Sequence, residues 1–192
     1  MTYLPPKPIG VTFLGSGSKG NSAMLDLDGR FYVLDAGLSC RTIETFLTTR
    51  GKTLEDIHGI IITHGHGDHV KGLATLLKRT RAPIFASPGT WKEIRHYSNL
   101  PNRFVPLPRE KEIELEGIRI WAFRVPHDSA EPIGLRLESR GGSLAIATDL
   151  GHITPEAMYH LTDSDILCLE SNYDEEMLAS CPYPGWLKTR IR

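Results

Sequence analysis

The chain has 192 residues, 40% of them apolar and 23% charged, with a formal net charge of −1. These values suit one domain with a sizeable core over residues 1–192, and they exclude a global pull toward nucleic acid or membrane, though not a local basic groove. Cys40, Cys168 and Cys181 are odd in number and lack metal-type spacing, the N-terminal stretch has no apolar leader, and no run approaches membrane-spanning length, so a cytoplasmic protein with no membrane partner is expected.

Past a proline-rich lead, Ile9 to Leu14 reads as a strand that runs into a loop of glycines and hydroxyls, residues 15–22. Backbone N–H groups in such a loop can cradle an anion. The Gly-Lys-Ser/Thr ending of a P-loop is absent and a strand follows, so taken alone this is a β-turn. Ala23 to Leu27 and Phe31 to Leu34 form a hairpin about Asp28-Gly29-Arg30. The second strand ends in Asp35-Ala36-Gly37, where residue type alone makes Asp35 a turn former. Arg41 to Arg50 reads as a helix with Ile43, Phe46 and Leu47 on its buried stripe and Gly51 as its stop.

Gly59-Ile60-Ile61-Ile62 is a short apolar strand, and Val70 to Leu77 reads as a helix with one apolar face. Between them stands Thr63-His64-Gly65-His66-Gly67-Asp68-His69. Three imidazoles and a carboxylate thus fall on a tight strand-to-helix loop, where open α/β sheets place their chemistry. Neutral imidazole suits zinc, iron and related ions, and an added carboxylate suits harder divalent cations. A solvated polar loop is the alternative, but loops of that kind rarely carry histidines at this density. His58, outside the cluster, reads as structural or surface. Lys78, Arg79 and Arg81 follow the helix and complement its negative end, a solvated cap rather than a DNA patch. Pro83 to Ala86 is a strand, and Gly89 to His96 a short helix with His96 at the surface.

From Lys111 the period becomes two. Ile113 and Leu115 alternate with glutamates, and after Gly117 the run Ile118 to Val125 carries Trp121 and Phe123 on one face. Pro126-His127-Asp128 closes that strand. Ile133 to Leu137 and Leu144 to Ala147 pair through Arg140-Gly141-Gly142. Then come Thr148-Asp149-Leu150-Gly151-His152, a helix from Ala157 to Leu161 with His160 exposed, and a last buried strand, Ile166 to Leu169, before Glu170. Trp186 to Arg192 reads as helix. Strand-Asp-Gly thus occurs twice, at Asp35 and at Asp149.

His64-x-His66-x-Asp68-His69 resembles the signature of the metallo-β-lactamase superfamily. Leu14-Gly-Ser-Gly-Ser-Lys-Gly-Asn-Ser22 and the run Ser129 to Gly134 are similar to its YycJ/WalJ-type (VicX-like) branch, whose members are implicated as DNA exonucleases. The resemblance implies an αββα sandwich of two mixed β-sheets flanked by helices, with two divalent ions (Zn2+ or Mn2+, Fe2+ as the alternative) at one rim. It places His64, His66 and His127 on the first ion and Asp68, His69 and Asp149 on the second, with Asp149 as the bridge. Asp35 would support the ligands from outside, and Asp68, the catalytic residue, would orient a metal-bound hydroxide. Ser16 and Asn21 would contact substrate; His152 would face the pocket or the surface. An aspartate at position 149 is similar to the phosphoesterase and thioesterase branches. The expected function is a metal-dependent hydrolase of phosphodiesters, a DNA exonuclease with DNA as its partner. The alternatives are a thioesterase or lactonase on the same site, or a non-catalytic metal-binding remnant. The branch has a histidine where Tyr173 stands, and its Gly-His-Leu-Ser-Asn segment does not follow. The expectation is therefore a fold incomplete at the C-terminus, with a weakened second metal site.

Overall fold

A computed structural model describes residues 7–95, 103–171 and 174–191. The first sheet is built from β1 (Gly10–Gly15), β2 (Ser22–Leu27), β3 (Arg30–Leu34), β4 (Ile57–Ile62), β5 (Ile84–Ala86) and β6 (Phe104–Pro106), in that spatial order. The second holds β7 (Glu112–Leu115), β8 (Ile118–Arg124), β9 (Ile133–Ser139), β10 (Gly142–Ala147) and β11 (Ile166–Leu169), in order β11-β10-β9-β8-β7. Both sheets are mixed. β3 to β6 run parallel, β1 to β3 antiparallel, and β11 joins β10 in parallel at one edge. The β2–β3 hairpin turns on Asp28 and Gly29, both at positive φ (57° and 84°), the geometry that favours Asp-Gly.

Helices α1 (Cys40–Thr49), α2 (Gly67–Val70), α3 (Leu73–Leu77) and α4 (Pro88–Ile94) follow strands of the first sheet; α5 (Pro155–Leu161), α6 (Glu175–Ser180) and α7 (Gly185–Ile191) come later. The alternation of side chains along each strand sorts the core into layers. Val33, Ile60, Ile62 and Ile84 pack under Ile43, Leu47, Leu73, Leu76 and Ile94 of the helices. Leu25, Leu27, Tyr32, Leu34, Ile61 and Phe85 face the other way, onto Ile118, Ile120, Leu135, Leu137, Leu144 and Ile146 of the second sheet. Phe123, Ala145 and Ala147 lie under Ala157 and Leu161 of α5. The result is helix, sheet, sheet, helix, as the resemblance implies. No described helix is long and apolar enough to cross a membrane.

Several expectations are corrected. The helix expected over Val70 to Leu77 starts earlier, at Gly67, and is two short helices. It breaks because the Gly72 N–H turns to the carbonyl of Ala36, 2.8 Å away, rather than along a helix axis. His160 is half-buried, its ring stacked at 5.1 Å on Phe123, and burial lowers its pKa. β11 is not a buried strand: Ile166 and Cys168 are only partly buried against the core, and Leu167 and Leu169 are 52% and 42% exposed, because β11 is a sheet edge. β6 and α6 were not anticipated; β6 has three residues and ends in a proline. His96 and Tyr173 lie outside the described residues.

Candidate metal centre

The strand directions bring the C-terminal ends of β1, β3 and β4 to one rim with those of β8, β10 and β11 of the facing sheet. Residues 15–21, Asp35, His64 to His69, His127, Asp149 and Glu170 all follow those ends directly.

Asp35 is the buried post of this rim. It leaves β3 at φ 54°, in the left-handed region that aspartate tolerates better than most residues, and its N–H donates to Ile61 O at 2.8 Å. Its Oδ1 accepts the Thr63 N–H at 2.8 Å. Its Oδ2 accepts the Thr63 hydroxyl at 2.8 Å and the Nδ1–H of His69 at 2.8 Å. Because the Thr63 hydroxyl gives its proton to Asp35, it accepts from His64 Nδ1, 3.1 Å away. That fixes the His64 proton on Nδ1 and leaves Nε2 as a bare lone pair. Nε2 is buried and has no hydrogen-bond partner among the described residues. A buried polar atom left in this state costs on the order of 1–3 kcal/mol, so it points to a cation.

The other rim groups gather around that atom. The rings of His64, His66 and His127 form a triangle with each pair of centroids 4.8 Å apart. His64, His69 and Asp149 make a second group, so His64 belongs to both, and the donor atoms within each group lie within 4.8 Å of one another. His69 Nε2 is 3.2 Å from Asp149 Oδ2.

The electrostatics carry the same message. Burial, helped by the charge of His69, pushes the His64 pKa down to about 4. Burial would also lower His69, but its hydrogen bonds to Asp149 and Asp35 outweigh that and hold it at about 10. Burial alone would raise the Asp149 pKa; the bond to His69 and its charge bring it below the usual carboxylate value instead. Asp149 thus favours a proton on His69 Nε2. The Asn21 amide nitrogen, 3.0 Å from the same atom, is a donor and favours its absence. A divalent cation bound through Nε2 satisfies Asp149 without that proton. Imidazoles with carboxylates are the donor set of zinc and similar divalent ions, so the residues present fit such ions.

Two backbone approaches hold the loops in register. Asn21 N–H donates to Asp68 O at 2.8 Å, and Ala36 N–H to His69 O at 2.7 Å. Gly37 lies so close to the carbonyl of Asp68 that a Cβ there would overlap it.

Comparison with known proteins adds the lineage. Residues 30–187 match the family described as the beta-lactamase superfamily domain. The chain belongs to the β-lactamase superfamily. It is 32% identical over 180 residues to the exodeoxyribonuclease YycJ of Bacillus anthracis, covering 93% of this chain and 68% of that protein. The exodeoxyribonuclease WalJ of Streptococcus pneumoniae is 30% identical over 186 residues, 94% of this chain and 68% of that one. The Zn2+-bound PqqB of Methylobacterium extorquens shares the fold, with a TM-score of 0.72 and 20% identity over 94% of this chain and 79% of the other. Membership makes the chain one of the metallo-β-lactamase-fold hydrolases.

At this rim the residues singled out in the sequence take distinct places. His64, His66 and His127 come together, as do His69 and Asp149. Asp68 stands at the margin: its Oδ2 is 3.8 Å from His69 Nε2 and accepts the Asn21 amide at 3.0 Å. Asn21 is engaged inside the protein at both ends of its amide, since its Oδ1 accepts the Gly17 N–H at 2.8 Å. Ser16 is exposed on the loop. His152 is exposed and belongs to neither donor group. His58 is exposed, with Nδ1 3.0 Å from Asp56 O.

Thr63 and Glu170 were missed. Glu170 accepts the Leu150 N–H beside Asp149, and burial raises its pKa. The signal for Glu170 was present: like Asp35 and Asp149, it is an acid at the end of a strand. Asp149 also repeats the Asp35 backbone, at φ 53°.

Proposed function

We propose that this chain is a metal-dependent phosphodiesterase that degrades DNA from an end, with His64, His66 and His127 holding one divalent ion and Asp68, His69 and Asp149 a second. The observation that carries the reading is His64 Nε2, a buried lone pair without a hydrogen-bond partner among the described residues, on a histidine that belongs to both donor groups. The substrate class rests on the relatives at 30–32% identity, both called exodeoxyribonucleases. Asp149, grouped with His64 and His69, would supply an anionic oxygen shared by two ions, in keeping with two cations that clamp a phosphodiester.

Ions held there would lower the pKa of water toward neutrality and withdraw charge from a phosphoryl oxygen. The chain's own residues do the rest. Asp35 and Thr63 fix the tautomers of His69 and His64, so both present Nε2 to the rim. Asn21 holds the Asp68 carboxylate, whose side chain stays 33% exposed and so remains open to water. From there Asp68 orients an attacking water and takes its proton.

The test is incubation with a 5′-labelled duplex in Mn2+, beside a panel of thioesters and lactones. The expected result is stepwise shortening of the duplex that stops with chelator or in Asp68→Asn, and no turnover of the small esters. Turnover of the panel with an intact duplex would replace the nuclease reading by a small-molecule hydrolase. Metal uptake with no turnover of either class would leave a binding protein.

A further inference from the structure

α4 and the loop after His127 hold one another through two carboxylates that cross in opposite directions. Glu93, in the last turn of α4, accepts the Ser129 hydroxyl at 2.8 Å and the Ala130 N–H at 2.9 Å. Glu131 reaches back. Its Oε2 accepts the Gly89 N–H at 2.5 Å, at the start of α4, and its Oε1 pairs with Arg109 Nε at 3.2 Å. The Glu131 carbonyl also accepts the hydroxyls of Ser87 at 2.6 Å and Thr90 at 3.1 Å.

Glu93 meets a third segment as well. Gly65 stands between His64 and His66, and a Cβ built on it would come within 2.9 Å of Glu93 Cβ and against its carboxylate. One side chain is therefore wedged between the loop that carries His64 and His66 and the loop that carries His127. Those loops leave different sheets, and the 4.8 Å ring triangle spans the seam between them.

We propose that Glu93 is a positioning residue: with Glu131 as its return tie, it sets the reach of His127 toward His64 and His66 and so tunes the first metal site. The proposal rests on the reading that these three histidines hold an ion. α4 does not need Glu93 to stay in place, because Ile94 is buried in the core and Trp91 stacks on Phe104 at 4.4 Å. Removing the carboxylate frees the Ser129–Ala130 loop and leaves the helix packed. The consequence falls on metal geometry more than on folding.

The experiment is a Co2+ titration of the full chain, metal-free at the start, followed by visible absorption, with melting of the metal-free protein measured in parallel. The variants are Glu93→Ala, Glu93→Gln, Ser129→Ala and, as control, Lys92→Ala. Glu93→Ala is expected to weaken the tighter Co2+ equivalent by about 10–100-fold, the usual cost of losing a supporting partner, and to change the shape of its absorption. Glu93→Gln keeps one acceptor oxygen and falls between. Ser129→Ala gives a smaller loss with the same spectral change and carries the test if Glu93→Ala does not fold. Lys92→Ala and metal-free melting stay as in the parent. Wild-type binding with unchanged affinity and spectrum in the Glu93 and Ser129 variants overturns the proposal and leaves the metal reading standing. Affinity that falls only in step with metal-free stability also overturns it. A parent that takes up no Co2+ overturns both.

Discussion

His69 Nδ1 donates to Asp35 Oδ2 across 2.8 Å, and both side chains are buried, at 1% and 4% exposure. The same carboxylate holds the N–H and hydroxyl of Thr63, so one aspartate orients two of the rim imidazoles. Asp35→Asn keeps the size and tolerates the φ of 54°, yet it loses the charge and one of the acceptor oxygens. It is expected to fold and to lose metal affinity by about 10–100-fold. Asp35→Ala leaves buried donors unpaired and should cost about 3–5 kcal/mol of stability. Denaturant unfolding beside a metal titration separates the two; an Asp35→Asn protein with unchanged affinity would refute the supporting role.

Loading of the second metal should expel a proton. In the metal-free protein burial opposes, and hydrogen bonds to Asp149 and Asp35 sustain, a His69 pKa of about 10. A metal must displace that proton, so affinity at this site should rise about tenfold per pH unit below that value. Calorimetry in two buffers of different ionisation enthalpy reads the release, and a heat independent of buffer would count against it. Stability follows the same pair of shifts. The His69 pKa is raised on folding, so its contribution is complete below about 6.5 and fades as pH climbs through about 10. The His64 pKa is depressed to about 4, so its contribution is complete above about 6.5 and fades as pH falls through about 4. Melting of the metal-free protein should peak between those limits.

Asn21→Leu removes the donor to Asp68 and the acceptor for Gly17 while retaining bulk. The expected outcome is a lower kcat with KM little changed, because Asp68 loses its orientation and no substrate contact is lost. A rise in KM at constant kcat would instead restore Asn21 to the role of substrate contact.

Gly37→Ala should be among the most damaging single-methyl changes in the chain. The added Cβ would overlap the carbonyl of Asp68 and push the metal loop off Ala36 and Asn21. Loss of metal and a clear fall in melting temperature are expected together. A variant that melts and binds metal like the parent would mean the loop has slack that the close approach does not suggest.

Most strands and the rim were legible because their signals are local. The isoleucine run of β4, the Asp-Gly turn at 28–29 and the glycine-spaced histidines each announce themselves within a few residues. The family resemblance linked the histidine loop to His127 and Asp149, and the structure brings these residues to one edge. Legibility failed where partners are distant in sequence. Nothing near Glu93 tells that its acceptors lie on Ser129 and Ala130, or near Asn21 that its amide meets Asp68. The break at Gly72 comes from the Ala36 carbonyl on another loop, and His160 is half-buried because Phe123 of a different element lies beneath it. Local periodicity carries no information about such contacts.

The central claim is that His64 Nε2 is a metal ligand, and anomalous diffraction at the zinc edge from crystals soaked in Zn2+ tests it most directly. The predicted result is a peak about 2.0–2.1 Å from His64 Nε2, shared with His66 and His127 and absent from crystals of His66→Ala. Crystals whose anomalous peaks all lie away from that triangle, with His64 Nε2 bonded to water or to protein, would contradict it.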